Sequence, residues 1–342
     1  MRLMSARCEM DGQKGHAQHL PSAFGMKAGA ERFPLMVLPQ VSNVCNSRCV
    51  HCWFNANTDL RKRDGVRYME PLLLRKIVDE MAQHTQTKPL MRITGTGEPL
   101  LMPGLDDELV RAAGEKGVRV AIITNGSLLV ADRSRRLIDA GVEAIEISAD
   151  AADAATYAKI RKGLNFETLL RNIDDALEHR DRRGEGTKIL VSFVENPEQI
   201  DPDRVEAFWR TRVDNVIRRK FLTYGQLSES GYAKDTYLPT DQRVPCPYPF
   251  ERMPITANGN VTFCNFDVAD GHYMGNVGKQ TIEEIWKNLA YEAWRQKILA
   301  GAYEELPLCS KCSDWKFKSW NYNFFKVLDE AAEPGLVVSA KK

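Results

Sequence analysis

Residues 35–52 read Leu35-Met-Val-Leu-Pro-Gln-Val41-Ser-Asn-Val-Cys45-Asn-Ser-Arg-Cys49-Val-His-Cys52. A short apolar run, the pattern of a buried strand, passes directly into a loop with three thiols. The number three is informative. A structural zinc ion or a fully protein-bound iron–sulfur cubane takes four protein ligands, so three thiolates leave one iron of a [4Fe–4S] cluster open to an outside ligand. A zinc ion with His51 as fourth ligand is the other reading of these residues.

Outward from this loop, apolar periodicity predicts a strand at 35–41, helix near 70–84, strand at 91–94, helix at 105–116, strand at 118–123, helix at 131–140 and strand at 143–148. A helix at 165–183, strand at 188–194, helix near 202–211 and strand at 215–221 come next. Strand and helix alternating in this way imply an α/β fold with parallel strands. The unusual residues fall where strands end: the cysteine loop, Gly95-Thr96-Gly97-Glu98-Pro99, Thr124-Asn125-Gly126 and Ser148-Ala149-Asp150. Parallel architectures place their chemistry at those ends.

Beyond residue 222 the alternation stops, and Cys246, Cys264, Cys309 and Cys312 appear. Four thiolates suffice to ligate a second cluster completely, or to form a zinc knuckle that only staples the segment. Gly259 to Phe263 read as a turn entering a strand, and Thr281 caps a short amphipathic helix that precedes a second helix at 289–300. The expected domains are an N-terminal tail at 1–33 holding Cys8, a barrel-like unit at 34–222, a linker at 223–245, a small cluster unit at 246–315 and a C-terminal tail at 316–342, whose aromatic residues pack on the body.

Composition narrows the function. The 342 residues carry 47 basic and 46 acidic side chains, a net charge of +1, which argues against disorder and against nucleic acid as partner. The basic run at 179–188 reads as a solvated face, whereas Arg218-Arg219-Lys220 ends a strand facing the expected cavity and leaves an anionic substrate group open. No apolar run approaches the ~20 residues that span a bilayer, and no signal-peptide pattern opens the chain, so no membrane and a cytoplasmic location are expected. In that reducing compartment, eight cysteines point to metal ligation rather than disulfides.

The triplet spacing after a first strand resembles the radical S-adenosylmethionine (SAM) superfamily, over roughly residues 34–222. The resemblance implies a partial (β/α)6 barrel, like an incomplete TIM barrel, whose open iron on Cys45, Cys49 and Cys52 is chelated by SAM. Gly95, Thr96, Gly97 and Glu98 are similar to the family's Gly-Gly-Glu-Pro motif and would take the SAM amino group, with the Thr a departure from the pattern. By the same resemblance Ser148 and Asp150 suit the ribose, Arg161 the SAM carboxylate, and His51, Val191 and Ser192 the adenine, with Asn125 in the cofactor-binding set. The quartet and its frame resemble the SPASM/twitch extension, which carries auxiliary clusters; four cysteines fit one auxiliary [4Fe–4S] cluster where a full SPASM domain holds two.

The implied chemistry is a 5′-deoxyadenosyl radical that abstracts hydrogen, fed by a flavodoxin- or ferredoxin-type reductant. Net oxidation of a small polar substrate, a sugar or cyclitol, is the leading expectation because the clusters use seven cysteines and leave only Cys8 as a thiol hydrogen donor for epimerisation. Peptide or protein modification is the alternative. Glu195, Arg218, Tyr224 and Asp267 are the residues considered for proton removal.

Overall fold

The computed structural model describes residues 29–56, 65, 68–184, 186–195, 200–222, 243–267, 271–310, 312–317 and 323–332. Its strands are β1 (Met36–Pro39), β2 (Leu90–Ile93), β3 (Arg119–Thr124), β4 (Ala144–Ser148), β5 (Lys188–Glu195), β6 (Asn215–Lys220), β7 (Arg252–Ile255), β8 (Asn260–Thr262) and β9 (Tyr273–Asn276). They form a single sheet in the order β6-β5-β4-β3-β2-β1-β7-β8-β9, with β1 to β6 parallel neighbours in sequence order. The two edges do not meet, so the barrel is partial, as the sequence implied.

The expected helices are present within a residue or two, among them Pro71–Ala82, Ala131–Asp139, Phe166–Arg183 and Pro202–Arg210. Asn165 and Asp201 cap two of them by accepting from backbone N–H groups of the first turn. The capping box of Thr281 and Glu284 sets the start of Ile282–Trp286. Two strands, β7 and β9, were not read from the sequence. β7, Arg-Met-Pro-Ile, pairs parallel to β1 with Met36 opposite Arg252, so the C-terminal segment continues the barrel sheet; an arginine and a proline hide its strand pattern. β8 and β9 then add antiparallel, entered through Gly259 at φ +83°.

Alternation along each strand separates two faces. Val37, Ile93, Ile122, Ile147, Val191 and Phe193 pack under the outer helices. Met36, Leu90, Ala121, Ala144 and Leu190 face inward and meet Phe324, Phe325 and Leu328 of helix Phe324–Ala331, which fills the concave side. The aromatic tail thus packs on the body where it is described; Trp320 and Tyr322 lie outside the described residues. In the basic run, Arg180 pairs with Asp214 and Arg183 with Asp139, a charged helix end as expected. Among the described residues no helix is long and apolar enough to cross a membrane.

The concave face also holds an ionic centre. Glu146 of β4 accepts from Arg92 at 2.5 Å and from Arg219 at 2.6 Å, and Arg92 lies 4.1 Å above the Phe324 ring. Burial works against the Glu146 charge, but the two guanidinium groups outweigh it and bring its pKa down to about 2. Replacing Glu146 with Gln strands two cations and should cost about 3–5 kcal/mol in urea unfolding at neutral pH. The native contribution is complete above the ordinary carboxylate range and is lost as pH falls through about 2, so the gap between variant and native protein should close only in strong acid.

Candidate functional site

The loop after β1 is laced to three other strand ends. Gly97 N–H donates to Ser42 O at 3.1 Å and Glu98 N–H to Val44 O at 2.8 Å, which lays the loop after β2 along the cysteine loop. The approach is so close that a side-chain carbon on Gly97 would stand 2.2 Å from the Val44 carbonyl oxygen. Asn46 accepts from Asn125 Nδ2 and donates to Ser127 Oγ, both at 2.9 Å, tying the loop to the end of β3. Arg48 and Val50 N–H groups donate to Lys162 O and Ile160 O beyond β4.

Around the triplet, Ser47 Oγ stands 3.3 Å from both Cys45 Sγ and Cys49 Sγ. Arg161 reaches Cys49 Sγ at 3.6 Å while its Nε donates to Asp150 Oδ2 at 2.5 Å. The other Asp150 oxygen accepts from Val194 N–H at 2.7 Å, and His51 Nε2 is 3.5 Å from Asp150. Burial opposes the Asp150 charge, yet Arg161 beside it and the Val194 N–H hold its pKa below the usual range. Burial lowers the His51 pKa and favours the neutral ring.

Glu98 is buried and, among the described residues, forms no ion pair, Arg161 acting on it only at longer range. Its Oε1 accepts from Thr124 Oγ1 at 2.7 Å and Leu100 N–H at 3.1 Å, its Oε2 from Asn125 N–H at 2.8 Å. Burial pushes its pKa up, and these donors only partly offset that. A carboxylate has about four acceptor positions, so one remains for the cation such a group calls for.

The structure brings Cys45, Cys49, Cys52, His51, Gly95 to Glu98, Asn125, Ser148, Asp150 and Arg161 to the strand-end face. Other expected placements differ. Val191 is wholly buried in the helix-facing core, so its side chain is turned from the concave face that Ser192 occupies by alternation. Glu195 and Arg218 are also on the outer face, where Arg218 pairs with Glu195 and Asp203, each at 2.7 Å, and Lys220 pairs with Glu195. Of the Arg218-Arg219-Lys220 run only Arg219 turns inward, because side chains alternate along a strand. Asp267 accepts from His272 N–H at 3.0 Å beside the quartet. Tyr224 and Cys8 lie outside the described residues. Asn46, Ser47 and Thr124 were missed, since their roles arise only when strand ends distant in sequence meet.

Of the four later cysteines, Cys246 lies on a loop and Cys264 just past the end of β8, while Cys309 sits in a short helix, Pro307–Ser310, with Cys312 two residues beyond it. Burial, then the charges of the other three, raise the Cys264 thiol, and burial with its neighbours pushes Cys309 up to about 12. The four thiols are thus close enough to oppose one another's ionisation. Arg243 Nε and Asn265 Oδ1 beside them are buried without a hydrogen-bond partner among the described residues. Such a donor set fits a polynuclear cation, and the triplet with its open side fits a cluster that takes SAM. Among the described residues no three His, Cys, Asp or Glu side chains gather about a point suited to a single metal ion.

Residues 40–206 match the model of the radical SAM superfamily, and residues 246–313 that of the SPASM iron–sulfur cluster-binding domain. The chain belongs to the radical SAM superfamily. Its SPASM domain is C-terminal, and the two domains bring SAM, a [4Fe–4S] cluster and further iron–sulfur binding. The GTP 3′,8-cyclase of Pelotomaculum thermopropionicum is 34% identical over 208 residues, 58% of each chain. The AdoMet-dependent heme synthase of Methanosarcina barkeri is 32% identical over 143 residues, 41% of this chain and 38% of that one. The chain therefore spans less than two thirds of the length of these curated relatives. Among solved structures, BtrN in complex with AdoMet and 2-DOIA shares 19% identity and a TM-score of 0.52 over 81% of this chain and 92% of that one. AnSMEcpe with bound AdoMet shares 15% identity and a TM-score of 0.62 over 87% and 97%. Streptococcus suis SuiB bound to precursor peptide SuiA shares 16% and 0.60 over 77% and 67%. These likenesses are of fold.

Gly97→Ala should force the loop after β2 off the cysteine loop. The expected result is a fall in SAM affinity of about tenfold or more, about 1.4 kcal/mol per factor of ten, with an unchanged far-UV circular dichroism spectrum. Equilibrium dialysis with SAM checks it.

Proposed function

We propose that this chain is a radical SAM oxidoreductase that removes two electrons from a small polar substrate, a sugar, cyclitol or related intermediate. Cys45, Cys49 and Cys52 hold the SAM-binding cluster in this reading, and Cys246, Cys264, Cys309 and Cys312 hold one auxiliary [4Fe–4S] cluster. The bound groups supply a 5′-deoxyadenosyl radical that takes a hydrogen atom, and iron–sulfur that accepts the remaining electron as a proton leaves the substrate. The electron entering with a flavodoxin- or ferredoxin-type reductant is thereby returned, so SAM and substrate give methionine, 5′-deoxyadenosine, oxidised product and a proton.

The chain's own residues position and enclose. Glu98 takes the SAM ammonium at its remaining acceptor position, while the Gly95–Gly97 backbone lines the approach. Arg161, fixed by Asp150, places a positive charge between Cys49 and the SAM carboxylate. Ser148 offers its hydroxyl group to the ribose, while the Ser192 hydroxyl donates to Glu146 and faces the adenine only as an acceptor. Helix Phe324–Ala331 seals the far side of the concave face against water. Asp267, close to the quartet, is the group we place nearest to proton removal.

The observation that carries this reading is the use of the thiols: all seven described cysteines fall into a set of three and a set of four, and none of them is left to return a hydrogen atom. The fold likeness to BtrN, whose structure holds AdoMet and 2-DOIA, supports the small-molecule reading. Peptide modification is the second reading, favoured by the fold likeness to SuiB with its precursor peptide.

Reconstituted protein should hold about eight iron per chain, halved when Cys45, Cys49 and Cys52 are all replaced by Ala. Reduced protein should cleave SAM to 5′-deoxyadenosine, and Cys49→Ala should abolish this. With a polar substrate in deuterated water, mass spectrometry should find a product two hydrogens lighter; unchanged mass plus one deuterium would establish an epimerase, and turnover restricted to a peptide would establish the second reading.

A further inference from the structure

Arg243 lies beside the quartet in an unusual setting. Its Nη1 donates to the Cys309 carbonyl oxygen at 2.9 Å, and its guanidinium lies 3.7 Å from the Tyr303 ring centroid and 5.5 Å from that of Trp315. Two aromatic faces and a carbonyl fix the guanidinium plane, and the cation–π contacts leave its hydrogen-bonding edge unspent. Its Nε is buried with no hydrogen-bond partner among the described residues. A buried N–H of a charged group without an acceptor is costly unless a ligand supplies one. The other arginine near the quartet, Arg252, is bonded to Glu251 at 2.8 Å and lies over Tyr248, so its charge is already answered. Two buried carboxylates, Asp267 and Asp314, also stand near the thiols.

We propose that Arg243 donates its buried Nε–H to the auxiliary cluster and sets that cluster's reduction potential, holding it high enough to accept an electron from the substrate radical. The proposal rests on the reading that the quartet binds iron–sulfur. A [4Fe–4S] cluster on four thiolates is an anion that gains a further negative charge on reduction; a fixed cation and donor at its surface stabilise the reduced form more than the oxidised form, most strongly where water is excluded. Arg243 touches the cluster in this reading and not the substrate.

The test is an anaerobic redox titration of the full-length reconstituted protein, monitored by electron paramagnetic resonance, in the Cys45, Cys49 and Cys52 to Ala background so that a single cluster is read. At the midpoint potential of that background, Arg243→Met should lower the ratio of reduced to oxidised cluster by about tenfold, equivalent to about 59 mV for one electron. Arg243→Lys, which keeps the charge and loses the fixed N–H, should fall between the two at equal iron content. Unchanged ratios in both variants with iron retained overturn the role of Arg243. A background protein that binds no iron at the quartet overturns the cluster reading beneath it. If Arg243→Met binds less iron, the Arg243→Lys comparison alone decides.

Discussion

A buried guanidinium shared between a carboxylate and a thiol holds the strand-end face together. Arg161 sits between Asp150 at the end of β4 and Cys49, 112 residues earlier in the chain. Each partner alone would be an expensive buried charge or an underused donor, and the cost of desolvation is offset only when all three are in place. The cysteine loop therefore has a defined position only once the helix Ala154–Ile160 and the residues after it are formed. The backbone bonds from Arg48 and Val50 to that same segment have the same dependence. Local sequence around the cysteines could not specify their arrangement alone.

Charge is distributed over the concave face in tiers. Apolar residues of the strands and helix Phe324–Ala331 make the floor, the Arg92–Glu146–Arg219 centre stands above one side of it, and the thiols and carboxylates occupy the strand ends. A low-dielectric floor strengthens every electrostatic contact above it. The same exclusion of water would protect a reactive carbon radical from being quenched by solvent.

Much of this was legible beforehand for a physical reason: parallel strands buried on both faces read as continuous apolar runs, and the turns after them concentrate glycine, asparagine and aspartate. Cysteine spacing carries ligand count directly, which is why the triplet pointed to its family. What could not be read was the direction of individual side chains. Val191 and Ser192 are adjacent, as are Arg218 and Arg219, and a single residue of register moves each across the sheet. Nor could β7 be seen, since Arg252 and Pro254 break its pattern and its partner β1 lies far away in sequence. The bonds of Asn46 to Asn125 and Ser127 are tertiary in origin and leave no local trace.

The pairing of β1 with β7 has a consequence for biosynthesis. More than two hundred residues separate Met36 from Arg252, its partner. At ribosomal rates of ~5–20 residues per second, β1 stands as an open edge for about 10–40 s while the rest of the barrel is made. An unpaired, apolar edge is a template for joining another nascent chain. The cysteine loop, attached to that strand, emerges early as well. The partners that hold the cysteine loop, at 95–98, 125–127 and 160–162, are made well before that pairing, so the loop is positioned while the β1 edge beside it still stands open.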